Sequence, residues 1–279
     1  MFGKLVKYEW KAIWPILLIT SALVTFATLL GFFAMNGILN DNSLFLSSES
    51  ISGISILIFL LYYLMMLGAS FAIVVYIAIR YYRSMYTDEG YLMHTLPVSA
   101  AQLFNSRLLI HSLSILLVGI LVLLSVAVVL LPIMAVSVDS YSSIAAMLNE
   151  WNRICLEENG FSLQVLCIIL LLTIVISSFS STCITYCAIS LGQHFRKHKV
   201  VGAILCYAGF TCLLQIIFSV LTMPQLFFSA DMASQGSISI NLAGYYFNTM
   251  VTVTIASLII GTVFYIISLH QLKYKLNLD

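Results

Sequence analysis

Six apolar segments, each long enough to cross a lipid bilayer as a helix, constrain this chain more than any other feature. They lie near 13–35, 54–79, 102–136, 163–190, 201–223 and 247–269. A bilayer core of about 30 Å needs about 20 apolar residues in a helix. Because lipid cannot hydrogen-bond to free backbone amides, all six segments are predicted to be helices. The predicted fold class is an all-α integral membrane protein with six transmembrane helices in one domain, 1–279.

Composition supports the same class. Charged residues make up only 8% of the 279-residue chain, and hydrophobic residues make up 61%. A soluble domain carries about 25% charged residues, so a soluble protein is excluded. The first segment has a charged start, but its apolar core is too long for a signal peptide and no small-residue cleavage site follows. We expect it to remain as a spanning helix, and we expect membrane lipid and no nucleic acid among the partners.

The basic residues predict the orientation of the chain. All but Arg153 fall at the N-terminus, after the second span, after the fourth span or at the C-terminus. They are Lys4, Lys7, Lys11, Arg80, Arg83, Arg107, Arg196, Lys197, Lys199, Lys273 and Lys275. Short loops on the cytoplasmic side of a membrane protein carry an excess of Lys and Arg. Both termini are therefore predicted to be cytoplasmic.

Two predicted outer loops are longer than a turn requires. In 138–162, apolar residues recur at helical spacing and Gly160 follows, which predicts a short amphipathic helix on the outer face. The loop 224–246 begins at Pro224 and is rich in Gly, Ser and Phe. Its mildly apolar character leaves a re-entrant segment open as one interpretation.

The first twelve residues form an amphipathic pattern. Lys4, Lys7 and Lys11 share one helical face, Phe2 falls on another, and Trp10 suits the level of the membrane interface. The pattern favours a helix lying in the inner membrane surface. A simple positively charged anchor with no protein partner explains the same residues equally well.

The sequence contains no recognisable motif for catalysis, nucleotide binding or ion coupling. There is no G-x-S-x-G, no H-E-x-x-H and no P-loop, and no span core holds the carboxylate that ion coupling usually needs. His194 and His198 have a spacing that can hold zinc, but three basic neighbours favour a lipid-facing basic loop. Cysteines lie mostly within spans and are interpreted as apolar packing residues. We expect no catalytic residue, no metal site and no cofactor bound by this chain.

One polar segment interrupts the apolar pattern, "RYYRSMYTDEGYLMHTLPVSAAQLFNSR" at 80–107. Thr87 or Asp88 can cap a short helix that Pro97 ends, and Ser99 with Gln102 forms a capping box for the next helix. That next helix, 100–136, would be about 55 Å long and would project beyond the bilayer. The segment 84–98 is therefore predicted to present a small apolar surface with a polar rim to the cytosol, which is typical of protein docking. Folding back onto the membrane is the alternative.

The same residues resemble a known family. "DEGYLMHTLPVS" is similar to the cytoplasmic loop between the second and third spans of bacterial ABC exporter permeases, in the type-2 permease superfamily and its Gram-positive variants. The spacing departs from the looser "E-G-T-x-E-x-L-x-x-x-P" pattern of the wider superfamily. The match covers about thirty residues, whereas the predicted topology agrees along the whole chain. The resemblance implies a bacterial plasma-membrane protein.

The resemblance also implies partners and roles. The loop would be a coupling helix in a groove of a separate P-loop subunit, which would bind ATP and Mg²⁺, and residues 1–12 would be an elbow helix touching it. A second permease chain, identical or paralogous, would complete the transporter. The coupling interface would comprise Asp88, Glu89, Gly90, Tyr91, Leu92, His94, Thr95, Leu96 and Pro97.

Polar residues within spans are candidates for a substrate path between two permease chains. The candidates are Gln215, Ser177, Ser181 and Thr252. Gln215 is favoured because a long amide in hydrocarbon is costly without a partner, whereas close packing of small residues explains the others. The expected function is export of an amphipathic peptide, antibiotic or lipid-like substrate. The alternatives are a sensing or assembly module coupled to an ATPase, and an unrelated polytopic scaffold or enzyme.

Overall fold

The computed structural model describes residues 2–39, 48–87, 99–137, 161–195, 198–231 and 242–274, with single positions at 146, 149, 152, 153 and 156. Six long helices occupy these ranges. They are α1 (Phe2–Leu39), α2 (Ser48–Tyr86), α3 (Ala100–Ser137), α4 (Leu163–Gly192), α5 (Lys199–Asp231) and α6 (Leu242–Tyr274). All six are long and apolar enough to cross a membrane, which confirms the predicted all-α, six-span class.

The helices extend further than the predicted spans. α1 begins at Phe2 and continues through Pro15, so residues 2–12 and the first span share one helix. α5 likewise continues through Pro224 to Asp231, into the predicted outer loop. Membrane helices tolerate proline because neighbouring groups satisfy the freed backbone carbonyl. The position of an elbow in the membrane surface stays a prediction.

The predicted outer segments are described only in part. The described positions between 146 and 156 are helical, as an outer helix in 138–162 requires. The remainder of 138–160 and all of 232–241 lie outside the described residues.

The chain divides into two compact units. The α1–α3 unit contains Tyr8–Ile77 and Ser114–Asn149. The α4–α6 unit contains Met1–Lys7, Ala78–Leu113 and Glu150–Asp279. α2 and α3 therefore contribute to both units. Their ends beside the 88–98 segment belong with α4, α5 and α6, whereas the rest of each helix belongs with α1.

The α1–α3 unit has an apolar core with a polar group inside it. The core includes Val24, Ala27, Met35, Tyr62, Met66, Ala69 and Val129. Within the unit, Thr28 donates a hydrogen bond to the Ser125 hydroxyl at 2.8 Å, and the Tyr62 hydroxyl lies 3.2 Å from the same oxygen. Gly31 lies against the Tyr62 ring, so that a Cβ there would lie 2.8 Å from a ring carbon. These contacts join all three helices in hydrocarbon, where satisfied polar groups assist packing.

In the α4–α6 unit, α4 packs against both α5 and α6. Small residues permit close approach: a Cβ on Gly261 would lie 3.2 Å from the Ser180 backbone, and one on Gly192 would lie 2.5 Å from the Ala203 backbone. The hydroxyls of Thr173 and Thr254 are 2.5 Å apart across the α4–α6 contact. Small residues at helix crossings are the usual basis of packing in membranes.

Candidate functional site

The two helices that flank the predicted coupling loop are well defined at its edges. Asp88 to Pro97, with every residue of the predicted interface, lie outside the described residues. α3 begins as predicted: the Gln102 amide donates to the Ser99 hydroxyl at 3.3 Å, and the Leu103 amide donates to the Ser99 carbonyl at 3.1 Å. Ser99 is therefore the N-cap of α3, and the predicted start of this helix at Ala100 is confirmed.

The edge on the α2 side is described up to Thr87. The Thr87 hydroxyl donates to the carbonyl of Arg83, one turn back in α2. Thr87 thus interacts with the C-terminal turn of α2, where the Arg83 side chain also complements the negative end of the helix dipole. Its oxygen keeps lone pairs that can accept a further hydrogen bond, so a cap from Thr87 or Asp88 on a following helix stays a prediction, because that helix lies outside the described residues.

The helix turns next to these edges contribute to a group of packed side chains that we call the inner cluster: Tyr81, Tyr86, Phe104, His111, Tyr186 and Ser190. All six belong to the α4–α6 unit. Tyr81, Phe104, His111 and Tyr186 are fully buried, each with 0% of its surface exposed. The cluster joins the end of α2, the beginning of α3 and the end of α4.

Aromatic contacts hold the centre of the inner cluster. The rings of Tyr81 and Tyr186 are stacked, with 3.6 Å between centroids and 10° between planes. Phe104 meets Tyr186 edge to face, with centroids 5.5 Å apart. An edge-to-face pair such as Phe104 and Tyr186 contributes about 0.5–1.5 kcal/mol beyond area burial, and the stacked pair adds buried aromatic surface. Tyr186 on α4 is thus the residue that α2 and α3 share.

Hydrogen bonds between the same helices accompany these aromatic contacts. The Tyr186 hydroxyl is hydrogen-bonded to Nδ1 of His111, and the Tyr86 hydroxyl lies 2.9 Å from the Ser190 hydroxyl. A further bond extends to α6, where the Tyr265 hydroxyl donates to Oδ1 of Asn105 at 3.0 Å. Buried polar networks of this kind specify one packing arrangement, because each lost partner leaves a desolvated group.

Arg107 lies in the same region of α3 and is almost completely buried, with 3% of its surface exposed. The sequence places it at the polar end of the third span, among the basic residues of the loop. In the structure Arg107 interacts electrostatically with Tyr81 of α2 and has a further interaction within the chain. The sequence contained one signal for this burial. Phe104, Arg107 and His111 are spaced at i, i+3 and i+7, which places them on one face of α3.

The candidate substrate-path residues are not equivalent in the structure. Gln215 and Ser177 are exposed on α5 and α4, and the Ser177 hydroxyl donates to its own helix at the Ile174 carbonyl. Ser181 is half-buried. Thr252 accepts a hydrogen bond from Gln225 at 2.6 Å, and Thr249 donates to Gln225 at 2.8 Å. Gln225, which sequence reasoning missed, satisfies its amide by joining α5 to α6.

Metal binding has no support among the described residues. Within those ranges, no group of three or more His, Cys, Asp or Glu side chains is placed to hold a metal ion. His198 instead occupies the start of α5, where its carbonyl accepts the Gly202 amide at 2.9 Å. Cys183 and Cys187 are buried on α4, in the packing role that the sequence predicts.

No model of a protein family, no curated protein and no solved structure matches this sequence. The length and composition of the six helices identify a multi-pass membrane protein. The end of α2 and the beginning of α3, which flank the polar loop in the sequence, both contribute to the buried inner cluster.

Proposed function

We propose that this chain is the membrane-spanning subunit of an ATP-driven transporter of the ABC exporter type. Energy would enter from a separate P-loop subunit that docks on residues 88–97. The resemblance of "DEGYLMHTLPVS" to exporter permease loops supports this function, and the sequence contains no P-loop of its own. The expected location is a bacterial plasma membrane with both termini in the cytoplasm.

The observation that carries the proposal is the length of the two flanking helices. α2 has 39 residues and α3 has 38. At 1.5 Å per residue each is about 57 Å long, against a hydrocarbon core of about 30 Å. Helices of this length must project beyond the bilayer. At the loop end they carry Arg80 and Arg83, which favour the cytoplasmic side. With these helix ends on the cytoplasmic side, the segment between them would be accessible to a soluble subunit.

The proposed cargo is an amphipathic peptide, an antibiotic or a lipid-like molecule. Large apolar side chains are exposed along α5, among them Ile204, Leu205, Ile216 and Val220. The amide of Gln215 lies exposed on the same helix. A path through such surfaces would suit molecules with both apolar and polar parts. Transport would require a second permease chain facing this one.

Docking is tested by co-expressing the full chain with a candidate P-loop ATPase and isolating the complex. Leu92→Asp places a charge in the proposed apolar contact, and Glu89→Arg reverses a charge at its rim. Leu92→Asp is expected to reduce recovery of the ATPase at least about tenfold, the loss typical of a central interface residue, and Glu89→Arg is expected to cause a smaller loss. Glu49→Arg makes the same charge reversal at the start of α2, on the predicted outer side, and should retain the ATPase. Retention by all three variants would contradict the docking role.

Transport is tested separately in proteoliposomes that contain the purified complex and a fluorescent phospholipid. ATP is expected to accelerate movement of the labelled lipid between leaflets, and proteoliposomes that contain the permease chain without the ATPase should show no acceleration. ATP turnover without movement of the phospholipid, or of amphipathic peptides tested in the same way, would favour a sensing or assembly module instead.

A further inference from the structure

We propose that the ends of α2 and α3 which carry the 88–98 segment move as one body with α4 and α6, and that Tyr81, His111 and Tyr186 are the positioning residues that hold them together. The outer parts of α2 and α3 would not belong to that body. The proposal deepens the proposed function, and rests on it for one step: displacement of the loop by an ATPase would reach α4 and α6 first.

The attachment of α2 depends on two contacts with α4. Tyr81 stacks on Tyr186, with 3.6 Å between centroids and 10° between planes. Near the end of the helix, the Tyr86 hydroxyl lies 2.9 Å from the hydroxyl of Ser190. Both α2 residues lie within Ala78–Tyr86, the part of the helix that belongs to the α4–α6 unit. This end of α2 therefore cannot shift along α4 without separating a stacked pair.

The attachment of α3 uses the same residue of α4 and adds α6. His111 accepts or donates through Nδ1 to the Tyr186 hydroxyl, and Phe104 packs edge to face on the Tyr186 ring. Asn105 accepts a hydrogen bond from Tyr265 of α6 at 3.0 Å. All three α3 residues precede Ser114, where the helix passes into the other unit. Both helices that hold the loop are thus anchored on Tyr186.

The remaining parts of α2 and α3 have different partners. Tyr62 of α2 and Ser125 of α3 form a polar contact at 3.2 Å, and Thr28 of α1 donates to the same serine. One helix therefore has two sets of partners along its length. Packed interiors resist gradual deformation and move as bodies between discrete arrangements. When the loop moves, the ends of α2 and α3 are accordingly expected to move together with α4 and α6.

The first experiment uses the full chain alone in lipid nanodiscs and measures amide hydrogen exchange by mass spectrometry. Tyr81→Leu removes the stacked ring, whereas Tyr81→Phe keeps it and serves as the conservative control. Tyr81→Leu is expected to raise exchange about threefold or more, the effect of losing one aromatic contact, in 78–86, 100–113 and 181–192 together. Exchange in 54–77 and 114–132 should not change, and Tyr81→Phe should resemble the unmodified chain.

Two outcomes of this experiment would overturn the proposal. One is faster exchange confined to α2, and the other is faster exchange along the whole of α2 and α3 that leaves α4 unchanged. If Tyr81→Leu does not fold, Tyr186→Phe replaces it. That variant keeps the stack and removes only the bond to His111, so a smaller rise in the same three segments is expected. No rise in 100–113 would again contradict the proposal.

The second experiment separates positioning from general stability in the complex with the ATPase. Spin labels at Ile79→Cys and Ile266→Cys, both exposed, report on the end of α2 and on α6 in a background without other cysteines. Because both positions belong to the body that is proposed to move as one, trapping ATP should leave the distance between the labels unchanged, and Tyr81→Leu should broaden or shift that distance while ATP binding and turnover persist. A distance that changes in the unmodified chain, or one that Tyr81→Leu does not affect, would contradict the proposal. Failure of the unmodified chain to bind any ATPase would refute the proposed function and leave the exchange result standing.

Discussion

The ring of Tyr81, near the end of α2, lies on the ring of Tyr186 in α4, with 3.6 Å between the ring centroids and 10° between their planes. Both residues are fully buried. Tyr186 also forms a hydrogen bond with His111 and contacts Phe104, both in α3. One α4 residue therefore contacts both the end of α2 and the beginning of α3. The predictions below concern this cluster, the close helix contacts and the candidate path.

The hydrogen bond between Tyr186 and His111 is expected to stabilise the fold measurably. Tyr186→Phe removes the hydroxyl and keeps the ring, so the change isolates this bond. Loss of a buried hydrogen bond lowers the free energy of unfolding by about 1 kcal/mol, or more where the remaining partner is desolvated. Thermal unfolding of the purified chain measures the effect. Tyr63→Phe, at a position 60% exposed, is the matched control and should leave the midpoint unchanged. Equal midpoints for both variants would argue against the bond.

Gly192 is expected to be required at the close contact between α4 and α5. A Cβ there would lie 2.5 Å from the Ala203 backbone, whereas a Cβ at Gly68 would meet nothing within 4 Å. Gly→Ala within a helix ordinarily stabilises by about 1 kcal/mol. At Gly192 the clash with backbone should reverse the sign and destabilise by about 1–3 kcal/mol. Comparison of Gly192→Ala with Gly68→Ala by thermal unfolding tests this, and a gain in stability at both positions would refute it.

Arg107 is expected to be required as a buried cation rather than as a surface charge. Arg107→Met keeps apolar volume but removes a buried charge and its interactions within the chain, at a cost of about 1–3 kcal/mol. Arg107→Lys should recover only part of this, because an ammonium cannot reproduce the planar donor fork. Arg83→Met, at an exposed position of α2, is the control and should change stability little. If Arg83→Met and Arg107→Met unfold at the same temperature, the buried role is wrong.

The two glutamines of α5 are expected to respond differently to replacement by leucine. Gln225→Leu breaks the bonds to Thr249 and Thr252, so it should lower the free energy of unfolding by about 1 kcal/mol. Gln215→Leu removes an exposed amide and should leave stability unchanged or improve it. If Gln215 lines the path, the same variant should slow ATP-dependent movement of labelled lipid. Stable protein with undiminished movement would remove Gln215 from the path.

The helices were predictable because their signals are local. Continuous apolar runs require spanning helices in lipid, and the Ser99 and Gln102 pair correctly predicted the start of α3. The helix ends were less predictable. Pro224 begins the predicted outer loop, yet it lies inside α5 in the structure. A proline stops a soluble helix more reliably than one packed within a membrane.

The inner cluster was not predictable from the sequence, because it joins residues far apart in the chain. His111 and Tyr186 lie in long apolar segments, where aromatic and histidine residues usually pack without a special role, and Tyr81 lies in the polar segment just after the second predicted span. Their meeting depends on the rotation and crossing of three helices, which hydrophobic periodicity hardly constrains in segments apolar on every face. For the same reason, the sequence could not show which polar residues of the spans have partners on another helix. Gln225, rather than Gln215, has the interhelical partners.

Contact between the 88–98 segment and an ATP-binding subunit is the central claim, and site-specific photo-cross-linking tests it most directly. A photoreactive phenylalanine derivative replaces Leu92 in the full chain, co-expressed with the candidate ATPase. Leu156, exposed and predicted to lie on the outer side, carries the same group in the control. Irradiation should cross-link the ATPase from position 92 and not from position 156. An ATPase that co-purifies with the chain but is never cross-linked from position 92 would contradict the account.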